Sequence, residues 1–177
     1  MYLQSNDSDA CLVSRALDGD EAAFEGLVGR YERVLFSVAY RMLGNRADAA
    51  DATQIAFVRA FERLASYRSE FKFFSWIYRI LANECLNQIR DRRSYEAVTP
   101  DMATVEGPLE QLEAAERERV IQDGLMKLRP EHRQVITLRH FAELSYEEIA
   151  DVLGIPVKTV KSRLYSARQQ LGEQLLK

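Results

Sequence analysis

Cysteine, histidine and long apolar runs are what this sequence has least of. Its two cysteines, Cys11 and Cys85, are far apart with no CxxC pairing, and its two histidines, His132 and His140, lie near neither. A disulfide framework or a structural metal site needs several such side chains at short spacings, so neither is expected and no cofactor is implied. Apolar runs stay well short of the roughly 20 residues that cross a bilayer. The opening segment, Met1-Tyr2-Leu3-Gln4-Ser5-Asn6-Asp7, lacks the basic and apolar sections of a signal peptide. A cytoplasmic protein with no membrane insertion is the expectation. Enzyme signatures are missing too: there is no glycine-rich phosphate loop, nucleophile motif or metal-ligand cluster, so no catalytic residue is expected. Charge of one sign is also lacking, since the formal net charge is only -3 over 177 residues. Whole-chain charge therefore neither demands nor excludes a nucleic-acid partner, and its distribution has to be read instead.

Hydrophobic residues make up 47% of the chain, enough to fill one or two small cores, and two is the better count. The pattern is helical nearly everywhere, with no strand-like alternation and no internal repeat, so the expected fold class is all-α. Phe24, Leu27, Val28, Tyr31, Leu35, Val38 and Met42 recur at three- and four-residue steps and build one apolar stripe, which Gly44-Asn45 ends. In the next helix Thr53, Phe57, Ala60, Phe61 and Leu64 share a face, with Asp48, Asp51 and Ile55 opposite. A third helical pattern runs from about Ser75 to Arg93. These helices form a first domain, residues 1–93. Between them and the rest, Pro100, Gly107 and Pro108 interrupt the periodicity, and Glu96, Asp101, Glu106, Glu110, Glu113 and Glu116 are all acidic. Residues 94–117 read as a flexible acidic linker and 118–177 as a second helical domain.

Within that second domain, Ser145-Tyr146-Glu147-Glu148 has the form of a capping box and marks a helix start before Ile149, Val152 and Leu153. Gly154 permits a sharp turn, and Pro156 suits the first turn of a following helix with Val157, Val160 and Leu164 on its apolar side. This is a helix-turn-helix. Its second helix enters the major groove, where Lys158, Thr159, Lys161, Ser162, Arg163 and Arg168 would meet base edges and phosphates. From Pro156 to Lys177, five basic residues stand against one acidic residue, Glu173, so an acidic chain has a basic end.

In the third helix, Trp76, Arg79, Asn83, Asn87 and Arg90 fall on one side, and Arg92 and Arg93 extend the charge. Aromatic rings stack on unpaired bases, amides hydrogen-bond to them and arginines hold phosphates, so this face suits melted DNA.

Three segments, Asp48-Ala-Ala-Asp51-Ala-Thr-Gln54-Ile-Ala-Phe57, Phe73-Phe-Ser-Trp76-Ile-Tyr-Arg-Ile80-Leu-Ala-Asn83 and Leu128-Arg-Pro130, followed by the helix-turn-helix, resemble the successive signatures of the extracytoplasmic-function sigma family. The resemblance covers nearly the whole chain. It implies an alternative sigma factor that carries core RNA polymerase to a small promoter set, and no enzyme. By that resemblance the face with Asp48, Asp51 and Gln54, joined by Ile55, binds a coiled coil of the largest polymerase subunit. The loop of Phe71, Lys72 and Phe73, with Asn83, captures a base flipped from the melted minus-ten element. The helix from Pro156 reads the minus-thirty-five element, and the C-terminal domain docks on the second-largest subunit. The other implied partners are promoter DNA and an anti-sigma factor or a regulatory kinase. The family commonly carries acidic residues where Ala50 and Ile55 stand here, which makes Thr53 a candidate phosphosite: a phosphate there would restore about 1.5 to 2 negative charges. The alternative reading is a helix-turn-helix regulator with an N-terminal sensing domain, against which the aromatic Trp76 to Asn83 segment argues.

Overall fold

The structure, a computed structural model, describes residues 7–94 and 109–175, with side chains in 7–91 and 116–175. Among the described residues every regular element is a helix, and none is long and apolar enough to cross a membrane. Local chemistry sets the boundaries. Helix α1 (Asp9–Leu17) starts where the Ser8 hydroxyl accepts from the Cys11 amide at 3.2 Å, and α2 (Glu21–Leu43) where Asp20 accepts from Ala23. Gly44, at φ 78°, ends α2 in the left-handed region that a side chain disfavours. The next residue, Asn45, caps α3 (Arg46–Glu62) by accepting from the Asp48 amide at 3.0 Å. A single 3-10 turn, Leu64–Ser66, leads toward α4 (Phe73–Ser94). Helix α1 is an element the sequence periodicity did not mark.

The long helix α2 is the spine of the N-terminal half, with α1, α3 and α4 packed around it. Its expected stripe is the core: Leu27, Leu35, Val38 and Met42 are buried, while Phe24, Val28 and Tyr31 are half-buried at the rim. Each fully buried leucine contributes roughly 1.5 to 3 kcal/mol. One member of the expected α3 stripe departs from it. Phe61 is 54% exposed and stands edge-on to Phe24 at 5.0 Å.

The C-terminal half comprises α5 (Leu109–Met126), α6 (Pro130–His140), α7 (Tyr146–Leu153) and α8 (Val157–Leu175). Helix α5 begins inside the stretch read as a linker, so the helical part of the C-terminal half reaches back to Leu109. The capping box forms as expected: Ser145 Oγ accepts from the Glu148 amide at 3.1 Å, and Glu148 accepts from the Ser145 amide at 2.9 Å. Gly154 turns at φ 65° and Ile149, Val152, Val160 and Leu164 are buried between α7 and α8.

The two halves do not stand apart. The end of α2 packs on α5 and α6, and α4 packs on α7. Arg133 of α6, only 5% exposed, donates to the carbonyls of Leu125, Met126 and Leu128, and across the seam to Met42. Arg41 of α2, 6% exposed, donates to Gln122 and Glu118 of α5 and lies over the Phe141 ring at 4.2 Å. Gln122 in turn donates to the Tyr40 carbonyl at 3.1 Å.

Candidate nucleic-acid interface

Helix α4 carries two faces. On its inner side Phe73, Ile77, Tyr78 and Leu81 are buried, and on its outer side Arg79, Asn83, Asn87 and Arg90 are exposed in a row. The row thus lies on one face, as the spacing requires, with Arg79 donating to the Val152 and Asp151 carbonyls of the C-terminal half. Trp76 lies half-buried at the head of the row, within an aromatic cluster: its ring sits 5.6 Å from those of Tyr67 and Phe73, and Phe73 is 5.5 Å from Tyr31 and Tyr67. Phe73 corrects an expectation, since it is fully buried and has no surface to offer to DNA; it is the floor on which Tyr67 and Trp76 rest. Phe71 is 45% exposed at the rim, and Lys72 is exposed and paired with Glu148 of α7. Arg92 and Arg93 lie outside the residues whose side chains are described.

Above this floor is a recess of about 170 Å³ lined by Ser66, Tyr67, Arg68, Phe71, Ser75, Trp76 and Arg79. Its volume equals that of about five or six waters at ~30 Å³ each, room for one flat ring. Tyr67 and Trp76 supply aromatic surface, the buried Ser75 a hydroxyl, and Arg68 and Arg79 positive charge. The Tyr67 hydroxyl donates to the Phe71 carbonyl at 2.7 Å, which holds the loop that forms the rim. Burial raises the Tyr67 phenol, helped by the negative Asp9, so the hydroxyl stays protonated and able to donate. Asn83 does not line the recess and lies one helical turn beyond Arg79. Ser66, Tyr67, Arg68 and Ser75 were not legible as site residues, because only the fold brings the loop after the 3-10 turn against the start of α4.

The expected polymerase face is on α3, where Asp51 and Gln54 are exposed and Asp48 and Ile55 are half-buried. Gln54 and Ala50 also line a groove of about 600 Å³ between α2 and α3, walled by Val28, Phe36, Phe57 and Val58 with Glu32 and Arg33 at its edge. Thr53 sits at its bottom, 4% exposed, its hydroxyl donating to the Ala49 carbonyl at 2.7 Å. A phosphate there would break the bond to the Ala49 carbonyl, and a kinase could not reach the hydroxyl while α2 and α3 are packed. The structure thus counts against Thr53 as a phosphosite.

On α8, Lys158, Lys161, Ser162 and Arg168 are exposed and Thr159 and Arg163 half-buried. The Ser162 hydroxyl donates to the Thr159 carbonyl at 3.0 Å, as serines inside helices commonly do. Tyr165, 65% exposed, continues this face at seven residues from Lys158, and its hydroxyl accepts from Gln169 at 2.9 Å. The helical period alone could have found both. Burial, then the neighbouring Arg168 and Arg139, lower the pKa of His140 and favour its neutral form.

The exposed amide-arginine row on α4 and the basic helix-turn-helix together suit a DNA-binding protein of the transcription machinery. Residues 27–95 match the sigma-70 region 2 family and residues 109–171 the sigma-70 region 4 family. The chain is 34% identical over 176 residues, 92% of its length and 94% of the relative's, to the ECF RNA polymerase sigma factor SigW of Bacillus subtilis (strain 168). It is 32% identical over 181 residues to the ECF RNA polymerase sigma-E factor of Escherichia coli (strain K12), covering 95% and 94% of the two chains. Among solved structures it is similar to CnrH in complex with the cytosolic domain of CnrY, with a TM-score of 0.73, 29% identity, and 96% and 97% of the chains covered. The chain belongs to the extracytoplasmic-function group of the sigma-70 family.

Proposed function

We infer that the chain is an alternative sigma factor that binds core RNA polymerase and directs promoter-specific initiation in the cytoplasm, acting by binding rather than by catalysis. Residues 1–93 engage the polymerase and the minus-ten element, and residues 118–177 the minus-thirty-five element, with 94–117 between them. Asp48, Asp51, Gln54 and Ile55 present the contact for the largest subunit, and the adjoining apolar groove between α2 and α3 extends it. In the minus-ten site, an extruded base enters the recess between Tyr67 and Trp76, Asn83 and Asn87 read neighbouring bases, and Arg68, Arg79 and Arg90 hold phosphates. In the duplex site Lys158, Lys161 and Arg163 contact phosphates, while Thr159, Ser162 and Tyr165 face the groove. The C-terminal half docks on the second-largest subunit, and an anti-sigma factor is the regulatory partner, in keeping with the complex of the similar CnrH with the cytosolic domain of CnrY.

The observation that carries this reading is the pairing of an aromatic-floored recess and an exposed amide-arginine row on α4 with a basic helix-turn-helix in one chain. A reconstituted assay tests it: purified chain and core RNA polymerase should transcribe from promoters upstream of the genes induced by its overexpression. Forked DNA should be preferred to fully paired DNA. Tight binding to duplex operators without affinity for the polymerase would instead support a regulator with an N-terminal sensing domain.

A further inference from the structure

None of the described residues of α1 lines the recess beside Trp76, yet α1 holds two of the pieces from which that recess is made. Its Asp9 carboxylate accepts from the Tyr31 hydroxyl of α2 at 2.5 Å and pairs with Arg30, one residue earlier on the same helix. Arg30 also donates to the Asp7 carbonyl at 2.9 Å, so the start of α1 is tied to α2 at adjoining points. Elsewhere α1 packs on the 3-10 turn Leu64–Ser66, whose last residue begins the rim of the recess.

An acid in the first turn of a helix suits the dipole without any further role. Asp9 is placed for more than that. Its side chain is only 22% exposed, burial of a carboxylate is unfavourable unless donors meet it, and the donors that do, Tyr31 and Arg30, come from α2. Burial, then the hydrogen bond to Asp9, push the Tyr31 phenol well above its ordinary pKa, so the hydroxyl remains a donor. A hydroxyl donating to a carboxylate makes a charge-assisted bond, shorter than a neutral one and about twice as strong. The Tyr31 ring is thereby fixed at its polar end.

The other end of that ring meets the floor of the recess. It lies 5.5 Å from Phe73 and 6.0 Å from Phe74, and Phe73 lies 5.5 Å from Tyr67 and 5.6 Å from Trp76. A chain of packed side chains thus runs from Asp9 through Tyr31 and Phe73 to both aromatic walls. Interiors packed with few voids pass on small displacements, and a flat ring entering a recess of about 170 Å³ has little slack.

We propose that Asp9 is a positioning residue for the minus-ten site: through its bond to Tyr31 it sets the place of Phe73, on which both aromatic walls of the recess rest. This rests on the sigma-factor reading of the recess, and the experiment separates the two. Holoenzyme is assembled from core RNA polymerase and the unmodified chain, Asp9→Ala, Asp9→Asn or Tyr31→Phe, with folding checked by thermal melting. The probes are forked promoter DNAs from upstream of a gene induced by overexpression, intact or with one unpaired minus-ten base replaced by an abasic site, each position in turn. Removing the captured base should weaken binding by the unmodified holoenzyme about tenfold, the size of one base-aromatic stack. Asp9→Ala should bind the intact probe about tenfold more weakly and lose at most about twofold more at the abasic position, because the stack is already gone. Asp9→Asn keeps an acceptor for the Tyr31 hydroxyl and should recover most of the difference. Tyr31→Phe keeps the ring and removes only the bond, so its abasic loss should fall between, at about threefold. If Asp9→Ala melts below the assay temperature, Tyr31→Phe decides. A purely stabilising α1 would weaken every probe alike, so an abasic loss that stays at about tenfold in these variants overturns the proposal and leaves the sigma reading standing. If the unmodified holoenzyme binds every abasic probe as well as the intact one, base capture itself fails and takes the positioning role with it.

Discussion

The two DNA-facing surfaces of this protein are built in opposite ways. The helix-turn-helix is local: its cap, its turn and its exposed basic residues all lie between Ser145 and Arg168, and the interactions that shape it are mostly between neighbours in sequence. The minus-ten surface is assembled from distant pieces. Its row lies on α4, but its floor needs Tyr31 from α2, and its rim needs the segment from Ser66 to Phe71. A local site tolerates truncation of one side chain, whereas an assembled one depends on the packing beneath it.

That contrast can be broken most sharply at Phe73. Phe73→Ala should cost about 3 to 5 kcal/mol of stability, read by chemical denaturation, and should abolish minus-ten recognition while leaving the isolated minus-thirty-five contact chemistry intact. A loss below about 1 kcal/mol would mean that the ring is not the floor described. Next in size is Arg133→Met, which leaves four carbonyls on both sides of the seam without their donor and should cost about 3 kcal/mol. Its signature is a lower melting temperature accompanied by separation of the two halves in scattering.

Asn83→Ala probes the assembled site without disturbing its core, because Asn83 is exposed. Transcription should fall roughly tenfold, equivalent to about 1.4 kcal/mol, with binding to a minus-thirty-five duplex unchanged. Equal loss on both DNAs would reveal a folding defect and remove the amide from the reading. On the local site, replacing Lys158, Lys161 or Arg163 by alanine should flatten the salt dependence of promoter binding by a slope of about 0.9 for each phosphate that is no longer neutralised. Unchanged slopes in all three variants would rule out this docking of α8.

The smallest effect concerns pH. The hydrogen bond from Lys72 holds the Glu148 carboxyl below its usual range, and the capping bond from the Ser145 amide adds to this. A carboxylate depressed in the folded state contributes stability that is present above its ordinary pKa of about 4.3 and is lost as pH falls through the lowered value. The contact between Lys72 and Glu148 should therefore weaken only on acidification through that lowered value, seen as a modest expansion in scattering that Glu148→Gln no longer shows.

Legibility followed the same division. Ser145, Glu148, Gly154 and Pro156 announce the helix-turn-helix because capping and turn chemistry act within four residues. The α4 row was legible from its period for the same reason, and Arg79, Asn83, Asn87 and Arg90 do lie exposed together. Phe73 was misread because its neighbours in sequence are those of an exposed loop, while its neighbours in space are Tyr31, Tyr67 and Trp76. The start of α5 at Leu109 was missed because the acidic run around it matches a solvated tether as well as a helix.

By itself, then, the sequence determined the helix-turn-helix with its capping box, the row on α4, the apolar stripe of α2 and the basic face of α8, all of which depend on interactions spanning a few residues. Only the tertiary structure decided that Thr53 is buried, that a recess opens between Tyr67 and Trp76, and that α7 lies on the minus-ten row. Each of those depends on which surfaces bury one another, as when Arg133 and Met42 meet across 91 positions of chain. No periodicity records such a pairing, because the hydrogen bonds and apolar area that favour it exist only once the helices have packed.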